Sequence, residues 1–260
     1  MLRTITATRY VTPLREGGSL PAIMEADDDG LYVVKFRGAG QGPKALIAEI
    51  VAGELARAAG LAVPELVLVE LDAALARAEP DPEIRALLAA SAGTNLGLDY
   101  LPGSITFDPL ARPVPDPATA SAIVAFDALI TNVDRTARNP NLLCWHRALW
   151  VIDHGAALGF HHAWDGYLAR SQTPFAHIRD HVLLPWAEAL PQAWDALRAR
   201  LGPDVIASVI AAIPERWLGD EPRFPDAAAH RAAYDAYLRE RMRAAPVFIE
   251  EAVRARAAIV

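Results

Sequence analysis

The segment FDALITNVDRTARNPNLL, residues 126–143, holds the densest set of chemically capable side chains in this sequence. An apolar run leads into Asn-Val-Asp-Arg, then a short polar loop with two asparagines, then a second apolar run. Downstream, residues 151–155 read VIDHG, an aspartate ending a β-branched run just ahead of a glycine. Asp134, Asn139 and Asp153 are all oxygen donors expected on loops beside strands. Such a set suits Mg2+, which prefers oxygen, keeps several waters and binds through one or two carboxylates together with substrate phosphates. Taken singly, each aspartate has an ordinary explanation as a turn cap or strand end. Their joint appearance after an upstream strand lysine is what points to a site.

That lysine stands out by composition. Of 25 basic residues only Lys35 and Lys44 are lysine, so arginine serves wherever any positive charge suffices. A lysine kept against this bias marks a candidate position for a compact ammonium rather than a planar fork. Lys35 lies inside LYVVKF, a β-branched and aromatic run that reads as a strand. Lys44 follows a glycine-rich loop at the start of a helix, where a surface role is the default.

The histidines offer a rival chemistry. His154, His161, His162, His177 and His181 fall within 28 residues, and His177 and His181 are one helical turn apart. With Asp153 and Asp180 they could form the metal centre of a hydrolase. Against this, HIRDH lacks the glutamate of His-Glu-x-x-His, and the neighbours His161 and His162 would point in different directions.

The elements that must position these groups divide the chain in two. Residues 5–11, 20–25 and 31–36 read as strands, with ADDDG at 26–30 a hairpin signal. Pro43–Ala59 reads as a helix with proline near its start and Gly60 past its end. Leu66–Leu71 is a further strand, 77–90 a helix and 95–101 extended. After a proline-rich connector at 104–117, long helices are expected over 118–132, 184–200, 204–213 and 227–257, with a hairpin within 142–158. A β-rich part at 1–103 and a helical part at 104–260 make an α+β protein with two lobes.

Composition sets outer limits. With 53% hydrophobic and 22% charged residues, the chain can bury a core and wholesale disorder is excluded. The longest apolar stretches, such as 205–213, fall far short of the roughly 20 residues a bilayer crossing requires. No apolar segment follows the first arginines as a secretory signal needs, so a soluble, cytoplasmic protein is expected. The single cysteine, Cys144, permits neither an internal disulfide nor a thiolate cluster. A net charge of −7 argues against a general nucleic-acid binder.

In order and spacing, the strand lysine, helix acid, Asp134 with Asn139 and the aspartate before glycine resemble the protein-kinase-like superfamily. The D-R-x-x-x-N form and the helix pattern LIAEIVAGELARAAGLAVPE, ending in G-L-x-V-P, are more similar to HipA-like kinases and the lipid-kinase branch than to eukaryotic protein kinases. The resemblance implies a bilobal fold that binds ATP with Mg2+ and transfers the γ-phosphate to a hydroxyl. It gives Lys35 the α- and β-phosphates, Asp134 the acceptor hydroxyl, Asn139 and Asp153 the metal, and Asp99, Tyr100 and Leu101 the hinge beside the adenine. Gly17, Gly18 and Ser19 occupy the place of the phosphate loop, although no Gly-x-Gly-x-x-Gly is present. His-Arg-Asp and Ala-Pro-Glu are missing too, which leaves the acceptor open between protein serine or threonine, a lipid head group and a small metabolite. A non-catalytic nucleotide-binding module is the other reading of the same residues.

Two positions have competing candidates. The family pattern selects Glu49 as partner of Lys35, whereas the helical wheel puts Glu54 in the apolar arc of Leu46, Ile47, Ile50, Val51 and Leu55. For the metal, Asn139 has the shorter spacing from Asp134, while Asn141 directly precedes the apolar Leu142-Leu143; we expect Asn139 to face the ion and Asn141 to brace the loop. The lysine assignment is open to direct test. Lys35→Ala should weaken nucleotide binding by about 10-fold or more, the loss of a charge-assisted contact, and Lys44→Ala by far less. A titration calorimetry series in which Lys44→Ala is the more damaging would place the phosphates elsewhere.

Overall fold

The computed structural model describes residues 2–14, 20–40, 42–219 and 221–260. Gly17, Gly18 and Ser19, expected to form the phosphate loop, lie outside the described residues. The chain divides into two compact units, Met1–Ile47 with Pro64–Pro102 and Ala48–Val63 with Gly103–Val260. The helix α1 (Pro43–Ala59) begins in the first unit and runs on into the second. It ends where the N–H groups of Gly60 and Leu61 turn back onto the carbonyls of Arg57 and Ala56, at 3.0 Å each. Gly60 takes φ +87°, and a Cβ there would collide with the Arg200 guanidinium, which donates to the Ala59 carbonyl.

The first unit is a closed barrel of strands β1 (Arg3–Pro13), β2 (Ala22–Ala26), β3 (Leu31–Lys35), β4 (Leu66–Leu71) and β5 (Gly93–Asp99), in the order β1-β2-β3-β5-β4. All neighbouring pairs are antiparallel except β1 and β4, which run parallel from Arg3 opposite Val67 to Thr6 opposite Glu70. Alternation sends Met24, Tyr32, Val34, Val67 and Val69 into one core, joined by Ile84 and Leu88 from helix α3 (Pro82–Ala90) and Ala76 from helix α2 (Ala73–Ala78). Gly97 lets the strands close, since a Cβ there would stand 2.7 Å from Val69 and 2.9 Å from Val67. The β2–β3 hairpin forms at the ADDDG signal, with Asp29 rather than Gly30 in the left-handed region. The single helix expected over 77–90 is two, because Pro80 and Pro82 interrupt the ladder and Asp81 caps the second.

The second unit is built on helix α4 (Pro117–Ile130), capped by Asp116 and buried along nearly its whole length. Short helix α5 (Tyr167–Arg170) and helices α6 (Leu190–Arg200), α7 (Pro203–Ala211), α8 (Ala227–Arg243) and α9 (Ala245–Ala257) complete it, α6 and α9 packing on α4. A small sheet of β6 (Ile105–Thr106), β7 (Leu142–Trp145) and β8 (Ala148–Val151) lies in the order β6-β7-β8. Two expected long helices are broken. The run over 184–200 has only a 3₁₀ turn at Leu184–Trp186 before α6 starts with Pro191 in its first turn, and 227–257 divides at Ala244 ahead of Pro246. No described helix is long and apolar enough to cross a membrane.

Arg241 ties this unit together. Fully buried, it donates to the carbonyls of Ala128 (2.9 Å) and Leu129 (3.4 Å) at the end of α4, and to those of Ser171 (3.0 Å) and Thr173 (2.5 Å). Its guanidinium also lies 4.2 Å from the centre of the Phe248 ring. Burial draws its pKa down to about 10, so it stays charged at neutral pH. Arg241→Met keeps much of the volume but leaves these carbonyls without a donor, at a cost of about 3 kcal/mol. Chemical denaturation should read this as a lower midpoint with the slope unchanged; a midpoint equal to wild type would contradict the role.

Candidate functional site: two loops joined by a buried arginine

Helix α4 ends in a left-handed Thr131, φ +54°, which turns the chain out of the helix and into Asn132-Val133-Asp134-Arg135. Asn132 steers the turn. Its N–H donates to the Asp127 carbonyl at 3.0 Å, and its side-chain oxygen accepts the Asp134 N–H at 3.1 Å. Two amides then converge on one carboxylate oxygen: Asn139 Nδ2 lies 2.9 Å and Asn141 Nδ2 3.3 Å from Asp134 Oδ2. Asn141 also donates to the Asp134 carbonyl at 3.1 Å. Asn139 is exposed, Asp134 half-buried and Asn141 buried, the last with φ +48°.

Sheet register brings the second loop alongside. Leu142 pairs with Val151, and the Ile152 N–H donates to the Asn141 carbonyl at 3.1 Å, so Asp153 is the next residue after a backbone bond to the first loop. Asp153 sits at φ +55°, a region aspartate tolerates better than most residues and one that recurs where a side chain is aimed for function. Past it, the Leu158 N–H returns to the Ile130 carbonyl at the end of α4, at 2.9 Å.

Beneath both loops lies a cluster of charged groups that sequence reading did not single out as support. Arg135 and Asp127 are fully buried, with Arg135 Nε 2.5 Å from Asp127 Oδ2. Arg135 Nη1 donates to the carbonyls of Asn141 and, at 3.2 Å, of Ile152, one from each loop. His181 completes the cluster, its Nε2 2.9 Å from Asp127 Oδ2 and its Nδ1 accepting the Leu183 N–H at 3.0 Å. An Nδ1 that accepts carries no proton, so the Nε2 proton points at Asp127 and the ring is neutral. The available signal was Asp127 itself, the one charged residue in an otherwise apolar stretch of helix, which requires a partner.

Glu49 belongs to the same unit. It is buried, with Oε2 3.8 Å from Nδ1 of His154, the residue after Asp153, and the His154 ring stands edge-on to Phe126. Glu54, favoured by the wheel, is half-buried and bonds Arg57 at 3.1 Å. The wheel could not discriminate because residues 46–53 are buried on every side, leaving no solvent face to define an arc.

In the first unit, Lys35 lies opposite Leu96 on β3, partly exposed, on the strand face that alternates with the core residues Tyr32 and Val34. Of the expected hinge residues, Asp99 and Tyr100 donate their N–H groups to the carbonyls of Glu65 and Leu31, at 2.9 Å each, and Leu101 is buried. Those two N–H groups are therefore committed to the barrel. Burial raises the Asp99 carboxyl above its ordinary value, with Glu65 adding to the effect.

The histidines are dispersed. His161 Nδ1 meets the Tyr234 hydroxyl at 2.9 Å, His181 serves Asp127, and His162, His177 and Asp180 are exposed. Among the described residues no three of His, Cys, Asp and Glu come together as a metal group.

The charge cluster has a pH consequence. Burial alone would push the Asp127 carboxyl up, but the Arg135 charge and the His181 N–H outweigh it and hold it well below the usual carboxylate range. Burial pulls the His181 ring below its ordinary value, with Asp127 opposing. An unfolded histidine titrates at about pH 6.5, so between that value and the lower folded one the unfolded chain binds the extra proton. This contribution is complete above about pH 6.5 and is lost as the pH falls below it. His181→Gln should therefore flatten the loss of thermal midpoint as the pH falls below about 6.5. An unchanged slope would count against a neutral buried ring.

Comparison with known proteins agrees with this architecture. A family model described as HipA-like kinase matches residues 8–243. Among solved structures, the Helicobacter pylori proinflammatory kinase CtkA superposes with a TM-score of 0.55 at 13% identity, covering 97% of this chain and 98% of that one. The Golgi casein kinase with Mn/ADP bound gives 0.48 at 15% identity over 96% and 73%. No curated protein sequence matches. With the family match spanning most of its length, the chain belongs to the HipA-like kinases.

Proposed function

We propose that this protein is an active, bilobal phosphotransferase that binds ATP with Mg2+ and transfers the γ-phosphate to a hydroxyl acceptor. The barrel unit serves as the N-lobe, expected over residues 1–103, and the helical unit, which also takes Ala48–Val63, as the C-lobe expected over 104–260. The observation that carries this reading is the pairing of Asp134, beneath two asparagine amides, with a second loop bearing Asp153 through the shared Asn141 carbonyl. The donors fit the ion: carboxylate and amide oxygens on adjoining loops, with no thiolate or imidazole required. Mg2+, held by Asp153 and Asn139, would offset the charge of the nucleotide phosphates.

The chain's own groups do the rest. Asp134 orients the acceptor hydroxyl and takes its proton at the carboxylate. Asn139 and Asn141 hold that carboxylate in place, Asn141 acting chiefly as a brace. Lys35 neutralises phosphate charge as a compact ammonium. The segment 99–101 offers remaining backbone groups to the adenine edge, and Gly17, Gly18 and Ser19 offer N–H groups to the phosphates. Catalysis of this kind is mostly positioning and electrostatic stabilisation, so the set suffices in kind. Protein serine or threonine, a lipid head group and a small metabolite remain the classes of acceptor, and the cytoplasm is the proposed compartment.

Two variants separate the roles. Asp153→Asn should raise the Mg2+ concentration needed for nucleotide binding by about 10-fold or more, one ligand charge being lost from a hard-cation site. Asp134→Asn should leave binding within about threefold and lower phosphate transfer by about 10²–10⁴-fold. Calorimetry with and without Mg2+, beside a γ-phosphate release assay, checks both. Equal losses of nucleotide affinity would contradict the assignment, and wild-type binding without turnover would mark a non-catalytic module.

A further inference from the structure

We propose that His181 is a positioning residue that acts through Asp127 and Arg135 to set the spacing between the Asp134 loop and the Asp153 loop. The chain of contacts is continuous. The Leu183 N–H fixes the imidazole with its proton on Nε2, and that proton goes to Asp127 Oδ2. The same oxygen receives Arg135 Nε, while Asp127 Oδ1 lies 3.4 Å from Arg135 Nη2 and 3.3 Å from Asn132 Nδ2. Arg135 Nη1 then spans the carbonyls of Asn141 and Ile152, the residues that flank the shared bond between the two loops. His181, Asp127, Arg135, Asn132 and Asn141 are buried and Ile152 half-buried, and a planar guanidinium with fixed N–H directions passes a shift at one end to the other.

The segment carrying His181 is also seated on the catalytic loop by its backbone. The Val182 N–H donates to the Arg135 carbonyl at 3.0 Å, and His181 bridges Thr136. Losing the imidazole contact therefore leaves the segment in place and releases only Asp127, which isolates the side-chain link from the backbone link.

The consequence for phosphate transfer rests on the kinase reading above; the loop spacing itself does not. Two substitutions divide the ring's two bonds. His181→Gln can keep a donor towards Asp127 and gives up the acceptor for Leu183. His181→Asn can keep that acceptor and gives up the donor to Asp127. His181→Asn gives up the stronger bond, to a buried carboxylate, so its thermal midpoint is expected to fall further than that of His181→Gln. If His181 positions the loops, His181→Gln keeps kcat within about threefold of wild type, and His181→Asn loses about 100-fold with KM for ATP little changed, the scale of a displacement near 1 Å. Equal kcat losses, measured at a temperature well below both thermal midpoints, would overturn the proposal.

Amide NMR supplies a readout that does not depend on turnover. His181→Asn should move the Asn141 and Asp153 amide resonances, and His181→Gln should leave them near their wild-type positions. Should wild type transfer no phosphate at all, the kinase reading fails, and these shifts alone decide the inference. Should His181→Asn not fold, the wild-type imidazole nitrogens decide it, because a proton found on Nδ1 rather than Nε2 breaks the first link.

Discussion

Placing Arg135 and Asp127 together in the interior costs both of them their hydration, and only close mutual geometry offsets that cost. The pair is held at 2.5 Å, with His181 and Asn132 occupying further sites on the carboxylate. Removing one member of such a pair typically costs about 3–5 kcal/mol because the other is left charged and buried. Arg135 Nη2 stays with Asp127, and Nη1 is spent on two backbone carbonyls. Those carbonyls belong to the two loops that carry Asp134 and Asp153, so the interaction that is hardest to break is also the one that fixes the candidate site.

The rest of the second unit can be understood as support for that cluster. Helix α4 presents Asp127 from a stretch that is otherwise apolar, and Arg241 satisfies the carbonyls where the helix stops. Left-handed turns at Thr131, Asn141 and Asp153 allow short loops to leave helix and strands sharply, and the Leu142–Val151 register holds the loops side by side. None of these three residues is glycine. Each accepts a conformation that costs free energy locally and is retained because its surroundings over-determine it.

Much of the fold was legible because its signals are local. Pro43 and Gly60 bracket a helix, β-branched runs mark Leu66–Leu71 and Leu31–Lys35, and the spacing from Asp134 to Asp153 pointed to two adjoining loops. Errors arose where proline falls within an expected helix: Pro80 divides 77–90, Pro191 lies in the first turn where α6 begins, and Pro246 follows the break at Ala244. The wheel could not separate Glu54 from Glu49 for a different reason, since residues 46–53 are buried on every side. Asp127, Arg135 and His181 were hidden because their partnership joins residues up to 54 positions apart, and no local pattern carries that distance.

An active kinase requires the Asp134 and Asp153 loops to hold a divalent cation together with a nucleotide. Paramagnetic Mn2+, added with ATP to the labelled protein and followed by amide NMR, reports the position of the ion directly. Selective broadening of Asn139, Asn141 and Asp153 is expected, abolished in Asp153→Asn, with the segment around His177 unaffected. Broadening centred on His177 instead, or none at the two loops while ATP binds, would contradict the kinase reading.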